Sequence, residues 1–444
     1  MSADPAQLDR DRLWHPFTQQ QGWSEEEPLL VERAQGSHLF DADGRRYIDG
    51  TSSLWCNVHG HCHPVIDRAV REQLGRVAHS TMLGLSHPGA AQLAEQLVEL
   101  APPGLSRVFY SDSGSTAAEI ALKMAFQYQA QRGDEHARRT SFVKLRQAYH
   151  GDTIGSVSVG GIDLFHAAYG PLLFDTHAAE PGDAADLDRI LSAHGEEVAA
   201  VIVEPLVQGA AGILVHPRGY LRAVRELCDR HGALLICDEV ATGFGRTGTM
   251  FACEQEEVAP DLLCLAKGIT GGYMPLAATL ATETIYEGFL GAPEEQRTFF
   301  HGHTYTGNPL ACAAALASLD VFESERTIER LQPKIALLTE RLEAIEAMPE
   351  VAEVRHRGFM VGIDLGAHDP ALRMGHRVTL EARARGAIVR PLGDTVVLVP
   401  PLSISEDDLL ALLEIVAESI EAACSPFERE AIPLQGSARI PYAA

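Results

Sequence analysis

Residues 199–239, AAVIVEPLVQGAAGILVHPRGYLRAVRELCDRHGALLICDE, decide the fold. The first and last pieces, AAVIVEP and GALLICDE, are short apolar runs without alternation, the pattern of strands covered on both faces. Between them, YLRAVRELCDRHG sets Leu221, Val224 and Cys228 on one stripe, with Gly232 placed to end the helix. Strand, crossover helix, strand predicts a parallel sheet built from βαβ units. Working outward, RVFYSD (107–112), TSFVKL (140–145) and DLLCLAK (261–267) read as further strands of that sheet.

Upstream, SHLFDADGRRYIDG (37–50) places Asp43-Gly44 between two strand-like stretches, a hairpin signal. Ile66, Ala69, Val70, Leu74 and Val77 recur at helical spacing, as do Leu93, Leu97 and Ala101. Downstream, ESERTIERLQPKIALLTERLEAIEAM (323–348) is helical and charged, after which FMVGIDL and TVVLVPPL return to short strands. The expectation is an α/β fold whose mostly parallel central sheet is covered by helices. The large domain spans 61–324, and a smaller α+β domain is drawn from both chain ends, 1–60 and 325–425. Residues 426–444 show no periodicity and read as a surface tail.

A chain of 444 residues exceeds what one core usually carries. Lys and Arg number 36 against 61 Asp and Glu, a formal charge of −25, which disfavours nucleic acid and anionic membranes as partners. No apolar run approaches the roughly 18 to 20 residues that cross a bilayer. The start, MSADPAQLDRDRLW, has early acids and no apolar stretch, so no secretory signal is expected. Cys56, Cys62, Cys228, Cys237, Cys253, Cys264, Cys312 and Cys424 are scattered, several within apolar runs. That usage predicts reduced thiols in a cytoplasmic protein.

In an open parallel sheet, ligands bind beyond the carboxyl ends of the strands. Four such ends are polar here. Residues 111–116, SDSGST, close one strand and open the helix AAEIALKMAFQY, leaving backbone N–H groups and a helix dipole suited to phosphate. Glu204 ends VIVEP, Asp238 follows Leu-Leu-Ile-Cys, and Lys267 follows Leu-Leu-Cys-Leu-Ala. A carboxylate leaving an apolar strand needs a cationic or donor partner. A lysine in the same setting has its charged form disfavoured and becomes a candidate imine former. Each has a plainer reading, as a helix cap, a structural ion pair or a surface lysine. The three together match pyridoxal 5′-phosphate, which needs donors for its phosphate, an anion for its ring nitrogen and an amine for its aldehyde.

Two other motifs lead elsewhere. Residues 243–248, GFGRTG, have the spacing of a dinucleotide fingerprint, but Pro260 and the next strand follow too soon for the helix that motif must open. His59, His61, Cys62 and His63 look metal-like, but no second ligand cluster of matching spacing accompanies them, and no metal is expected.

LLICDEVATGFGRTG (234–248), DLLCLAKGITGGYMPLAA (261–278) and HGHTYTGNPLACAAAL (301–316) resemble the class III pyridoxal-phosphate aminotransferases of fold type I over nearly the whole chain. RLWHPFTQ (12–19), DGTSSLWCNVHGHCHP (49–64), SDSGSTAAEIALKMAFQY (111–128), YHGDTIGSVSV (149–159) and IVRPLGDTVVLVPPL (388–402) are similar to its biotin-pathway branch. That branch converts 8-amino-7-oxononanoate to 7,8-diaminononanoate with S-adenosylmethionine or lysine as donor. The resemblance implies that Lys267 joins the cofactor, Asp238 partners the pyridine nitrogen, and Gly114 and Ser115 form the phosphate turn. It implies a phosphate contact from Thr304 of a neighbouring subunit, hence a homodimer, and places Tyr149 against the ring and Glu204 beside it. For substrate it implies Arg390 on the carboxylate, together with Phe17, Leu54, Trp55, Tyr149, Gly302 and Arg246. Phe17 and Leu54 stand where members using S-adenosylmethionine carry a tyrosine and a tryptophan. An ω-amino acid:pyruvate aminotransferase and a glutamate-1-semialdehyde-type aminomutase would share the scaffold and Lys267.

Overall fold

The computed structural model describes residues 4–133 and 136–424. Its centre is a seven-stranded sheet of β1 (Leu105–Ser111), β2 (Ser141–Leu145), β3 (Thr176–Ala179), β4 (Val198–Val203), β5 (Leu234–Asp238), β6 (Leu262–Leu265) and β7 (Ala277–Thr282). The spatial order is β1-β7-β6-β5-β4-β2-β3. From β6 to β3 all pairs are parallel, while β7 runs antiparallel to both β6 and β1. All five strands expected from apolar runs are present. The other two carry weaker signals: β3 is a four-residue edge strand, and β7, AATLAT, is five small residues and one leucine, without aromatics. Small side chains on β7 admit a close helix, and Thr279 Oγ1 donates to Ala117 O at 2.9 Å.

Asp238 ends β5 and Lys267 follows the carboxyl end of β6, next to each other because these strands pair in register, Asp238 opposite Cys264. The crossover helix Tyr220–His231 buries Leu221, Val224 and Cys228 and ends on Gly232 at φ 68°, as its sequence predicts. Helices also form over Pro64–Leu74, Pro88–Leu100 and Thr327–Glu346. Beyond β5, Glu239 is fully buried and organises the following loop: its carboxylate accepts from Thr242 Oγ1 at 2.6 Å and from the N–H groups of Ala252 and Cys253 at 2.9 and 2.8 Å. The glycine-rich 243–248 stretch lies in this loop as turns, and no α-helix begins on it.

The chain ends build two smaller sheets. His38–Asp41 and Arg46–Asp49 form the antiparallel hairpin around Gly44 (φ 80°), with Val31–Gln35 added on one side. On the other side, Ile48 and Asp49 pair with Ala387 and Ile388 from the distant end of the chain. A second antiparallel sheet has Glu353–Arg357, Met360–Asp364, Thr395–Leu398 and Arg390–Leu392 as neighbours in that order. The expected tail, 426–444, lies outside the described residues. Cys56, Cys62, Cys228, Cys237, Cys253, Cys264 and Cys312 carry free thiols, and no helix among the described residues is long and apolar enough to cross a membrane.

Candidate active site

A cavity of about 470 Å³ opens where the strand ends meet the start of helix Gly114–Gln131, and Gly114, Ser115, Tyr149, Glu204, Asp238 and Lys267 all line it. A second cavity of about 790 Å³, bordered by Phe17, Phe165 and Arg390, shares Ala210 with the first.

Asp238 is 4% exposed and braced from behind. His150 Nδ1 donates to its Oδ2 at 2.7 Å, and the Val240 N–H donates to its Oδ1 at 3.0 Å. A carboxylate only accepts, so the His150 proton sits on Nδ1; Nε2 of this fully enclosed ring has no hydrogen-bond partner among the described residues. His150, which braces Asp238, is not among the site residues expected from the sequence. Its signal was available: Asp238 required a donor partner, and YHGD supplied one beside the chosen Tyr149.

Lys267 lies at φ 44°, in the left-handed region that non-glycine residues rarely adopt, and such positions concentrate at functional sites. Its ammonium makes no hydrogen bond or ion pair among the described residues, and Nζ stands 5.0 Å from the centre of the Trp55 ring. Burial holds its pKa below the usual lysine range, with the Asp238 and Glu204 charges acting in the opposite sense. A larger share of free amine near neutral pH follows. Burial pushes the Glu204 carboxyl up to about 7. Its two oxygens accept from the Tyr149 N–H at 3.1 Å and the Gly209 N–H at 2.9 Å, which fixes the loop carrying Tyr149. The Tyr149 hydroxyl donates to Asp152 at 2.7 Å.

Ser113 and Thr116 cap the helix reciprocally. The N–H groups of Gly114 and Ser115 have no hydrogen-bond partner among the described residues, so two donors and the positive end of an 18-residue helix remain for an anion. Ser115 Oγ is held against the Tyr149 loop, accepting from the Thr153 N–H at 2.9 Å. Gly151 allows this approach; a Cβ there would lie 2.4 Å from that of Ser115. Free amide donors, a braced carboxylate and an unpaired lysine on one cavity wall fit a phosphorylated pyridine aldehyde.

The remaining expected site residues fall into three groups. Phe17 and Arg390 border the larger cavity; the Phe17 ring is 5.2 Å from Phe165, and the Arg390 guanidinium forms no ion pair among the described residues. Trp55 lines the smaller cavity, its buried Nε1 without a hydrogen-bond partner among the described residues. Leu54, Gly302 and Thr304 are exposed and line neither cavity. Arg246 also lines neither. It is 1% exposed and donates to the carbonyls of Pro400 at 2.6 Å and Asn57 at 2.8 Å, so here it joins three distant segments rather than facing a substrate. His59, His61 and His63 go separately to Ser318, Asp49 and Glu325.

The aminotransferase class-III family model matches residues 20–420. An adenosylmethionine-8-amino-7-oxononanoate aminotransferase from Nitratidesulfovibrio vulgaris is 58% identical over 439 residues, 94% of this chain and 81% of that protein. A protein of the same name from Geobacter sulfurreducens is 49% identical over 438 residues, 93% of this chain and 96% of that one. The crystal structure of the enzyme so named from Methanocaldococcus jannaschii superposes with a TM-score of 0.92 at 43% identity, covering 94% of this chain and 99% of that one. An amine transaminase from an uncultivated Pseudomonas species, solved in its PLP-bound form, gives 0.86 at 38% identity, covering 93% and 99%.

Proposed function

This chain belongs to the class-III aminotransferases, and from that premise we propose that it transfers an amino group to the keto carbon of 8-amino-7-oxononanoate, the biotin-pathway step giving 7,8-diaminononanoate. The fold is fold type I, and the cofactor is pyridoxal 5′-phosphate. The observation that carries the reading is the meeting of Lys267, Asp238 and the free Gly114 and Ser115 N–H groups on one cavity.

When bound, the cofactor supplies an aldehyde that condenses with amines and a ring that takes up the electron pair left by a departing Cα proton. In this reading the Gly114 and Ser115 N–H groups hold the phosphate. Asp238, oriented by His150 and Val240, keeps a negative charge facing the ring nitrogen and so favours its protonated form. Lys267 Nζ would be the amine that holds the aldehyde, and it would also be the base placed to move the substrate Cα proton. Tyr149, which lines the same cavity, would offer its ring to the cofactor ring, and Arg390 would offer its planar fork to a carboxylate.

Gly114 makes a testable contribution. A Cβ at this position would lie 2.5 Å from Val240 Cγ1, and Val240 itself borders the cavity. Gly114→Ala is expected to weaken cofactor binding about tenfold, from an overpacking cost of roughly 1–3 kcal/mol. Titration of the apo-protein by absorbance measures it; unchanged affinity would remove the turn from the site.

S-adenosylmethionine is the proposed donor, supported by the names of the relatives. Lysine is the second reading, favoured by Phe17, which offers the large cavity a ring without a hydroxyl, and by exposed Leu54. Holoenzyme, keto acid and one donor at a time separate them: S-adenosylmethionine is expected to give at least about tenfold higher kcat/KM, a difference of 1.4 kcal/mol. Amination of pyruvate but not of 8-amino-7-oxononanoate would point to an ω-amino acid enzyme, and a donor-independent reaction to an aminomutase.

The working form is proposed to be a cytoplasmic homodimer. Gly302 and Thr304 lie on an exposed loop with Phe300 and Tyr305, 80% and 60% exposed, and a second copy covering it would bring Thr304 to a neighbouring phosphate. The division into a large domain over 61–324 and a small one from both ends is likewise proposed, supported by the pairing of Ile48 with Ala387.

A further inference from the structure

Backbone strain gathers in residues 51–56, the segment between the two cavities. Thr51 and Ser53 border the larger cavity, Trp55 and Cys56 the smaller one. Ser52, Ser53 and Trp55 have φ values of 50°, 61° and 61°, and Ser53 combines its φ with a ψ of −83°. That pair of angles lies close to the rare γ-turn geometry, which is strained for any residue with a Cβ. Such a backbone persists only where its surroundings over-determine it.

Asp49 supplies most of that constraint. It ends the hairpin strand Arg46–Asp49 and is fully buried. Its Oδ1 accepts from the N–H groups of Thr51 at 3.2 Å and Ser53 at 2.9 Å. Its Oδ2 accepts from the Ser53 N–H at 2.8 Å and from His61 Nε2 at 2.9 Å. From the other side, Ser52 Oγ donates to Val399 O at 2.6 Å. The turn aims Trp55 inwards. A Cβ at Gly209 would lie 2.8 Å from Trp55 Cζ3, so the indole is seated directly on backbone. The centre of its ring stands 5.0 Å from Lys267 Nζ. The negative face of an indole attracts an ammonium, and it also receives the N–H groups of a free amine. Among the described residues the Lys267 amine makes no hydrogen bond or ion pair, so the indole face is its directional contact.

We propose that Asp49 is a positioning residue for the reacting amine: by holding Ser53 in its strained turn, it keeps the Trp55 indole against Lys267 Nζ and so presents the amine to the cofactor aldehyde. This rests on the reading that Lys267 joins the cofactor. In that union the free amine and the aldehyde form a C=N bond, and the aldehyde oxygen leaves with the two amine protons as water. The loop governs where Nζ stands when that bond forms. Asp49 lines neither cavity and acts only through the indole.

The test strips the full chain of cofactor and titrates it with two forms of that cofactor. Pyridoxal 5′-phosphate can join the lysine, whereas pyridoxamine 5′-phosphate carries an amine in place of the aldehyde and binds through ring and phosphate alone. Asp49→Asn is expected to weaken the aldehyde form about tenfold and the amine form by no more than about twofold. Trp55→Leu is expected to give the same selective loss. The double variant should lose no more than about twofold beyond Trp55→Leu, because the two side chains act in series. Ser53→Gly added to Asp49→Asn should recover most of the loss, since glycine takes a positive φ without strain. Where Asp49→Asn does not fold, His61→Leu, which removes one donor from Asp49, enters the same cycle with an expected selective loss of about threefold. Equal losses for the two cofactor forms, no loss for either, or losses that multiply in the double variant would overturn the proposal. Borohydride attachment at a residue other than Lys267 would instead remove the reading beneath it, while attachment at Lys267 with equal losses would remove only the role of Asp49.

Discussion

Replacing Lys267 with alanine is expected to lower kcat/KM by about 10⁴-fold or more, because one side chain acts both as covalent attachment and as proton carrier. Borohydride reduction of the variant should no longer fix the cofactor to the protein. Thermal unfolding of the apo-protein should move little. The lysine amine makes no hydrogen bond or ion pair among the described residues, and its pKa is lowered mainly by burial, so removing it takes away an unfavourable charge and little packing. The φ of 44° stays strained for alanine as for lysine, so backbone strain does not distinguish the two. Lys267→Arg should not rescue activity, since a guanidinium stays protonated and cannot supply a free amine. Activity near wild type in Lys267→Ala, or borohydride attachment at another residue, would remove Lys267 from the chemistry.

The reach of the sequence follows from which forces act locally. β4, β5 and β6 are covered on both faces, so their apolar runs are continuous and their polar ends mark the site within a residue or two. Asp238 and Lys267 could be paired because both sit at the ends of such runs. β7 escaped because its burial is met by alanines, whose small size suits the helix packed on it rather than a strand propensity. His150 escaped for another reason. Its partner Asp238 is 88 residues away, and no periodicity encodes a contact across two strands. Arg246 shows the converse: a motif position marks a residue as needed, yet its contacts with Pro400 and Asn57 reveal a brace between segments that the sequence separates by 154 and 189 residues.

Asp238→Asn is expected to reduce kcat/KM by about 10²–10³-fold, the equivalent of roughly 3–4 kcal/mol. Part of that is charge: an amide places no net negative charge opposite the ring nitrogen, which then loses its protonated form more readily. The rest is hydrogen-bond direction. Both Asp238 oxygens accept from behind, one from His150 Nδ1 and the other from the Val240 N–H. Asparagine has only one oxygen, so its NH2 must face one of those two donors. If it faces His150, the ring must move its proton to Nε2, which has no hydrogen-bond partner among the described residues. If it faces Val240, two donors oppose each other, at about 1–3 kcal/mol for each polar group left unmade. The cofactor absorbance of the variant, followed against pH, separates the contributions: loss of charge shifts the titration of the bound cofactor, whereas a purely structural effect weakens binding without moving it. A variant retaining kcat/KM within about tenfold, with an unshifted titration, would show that the carboxylate charge is not used on the ring.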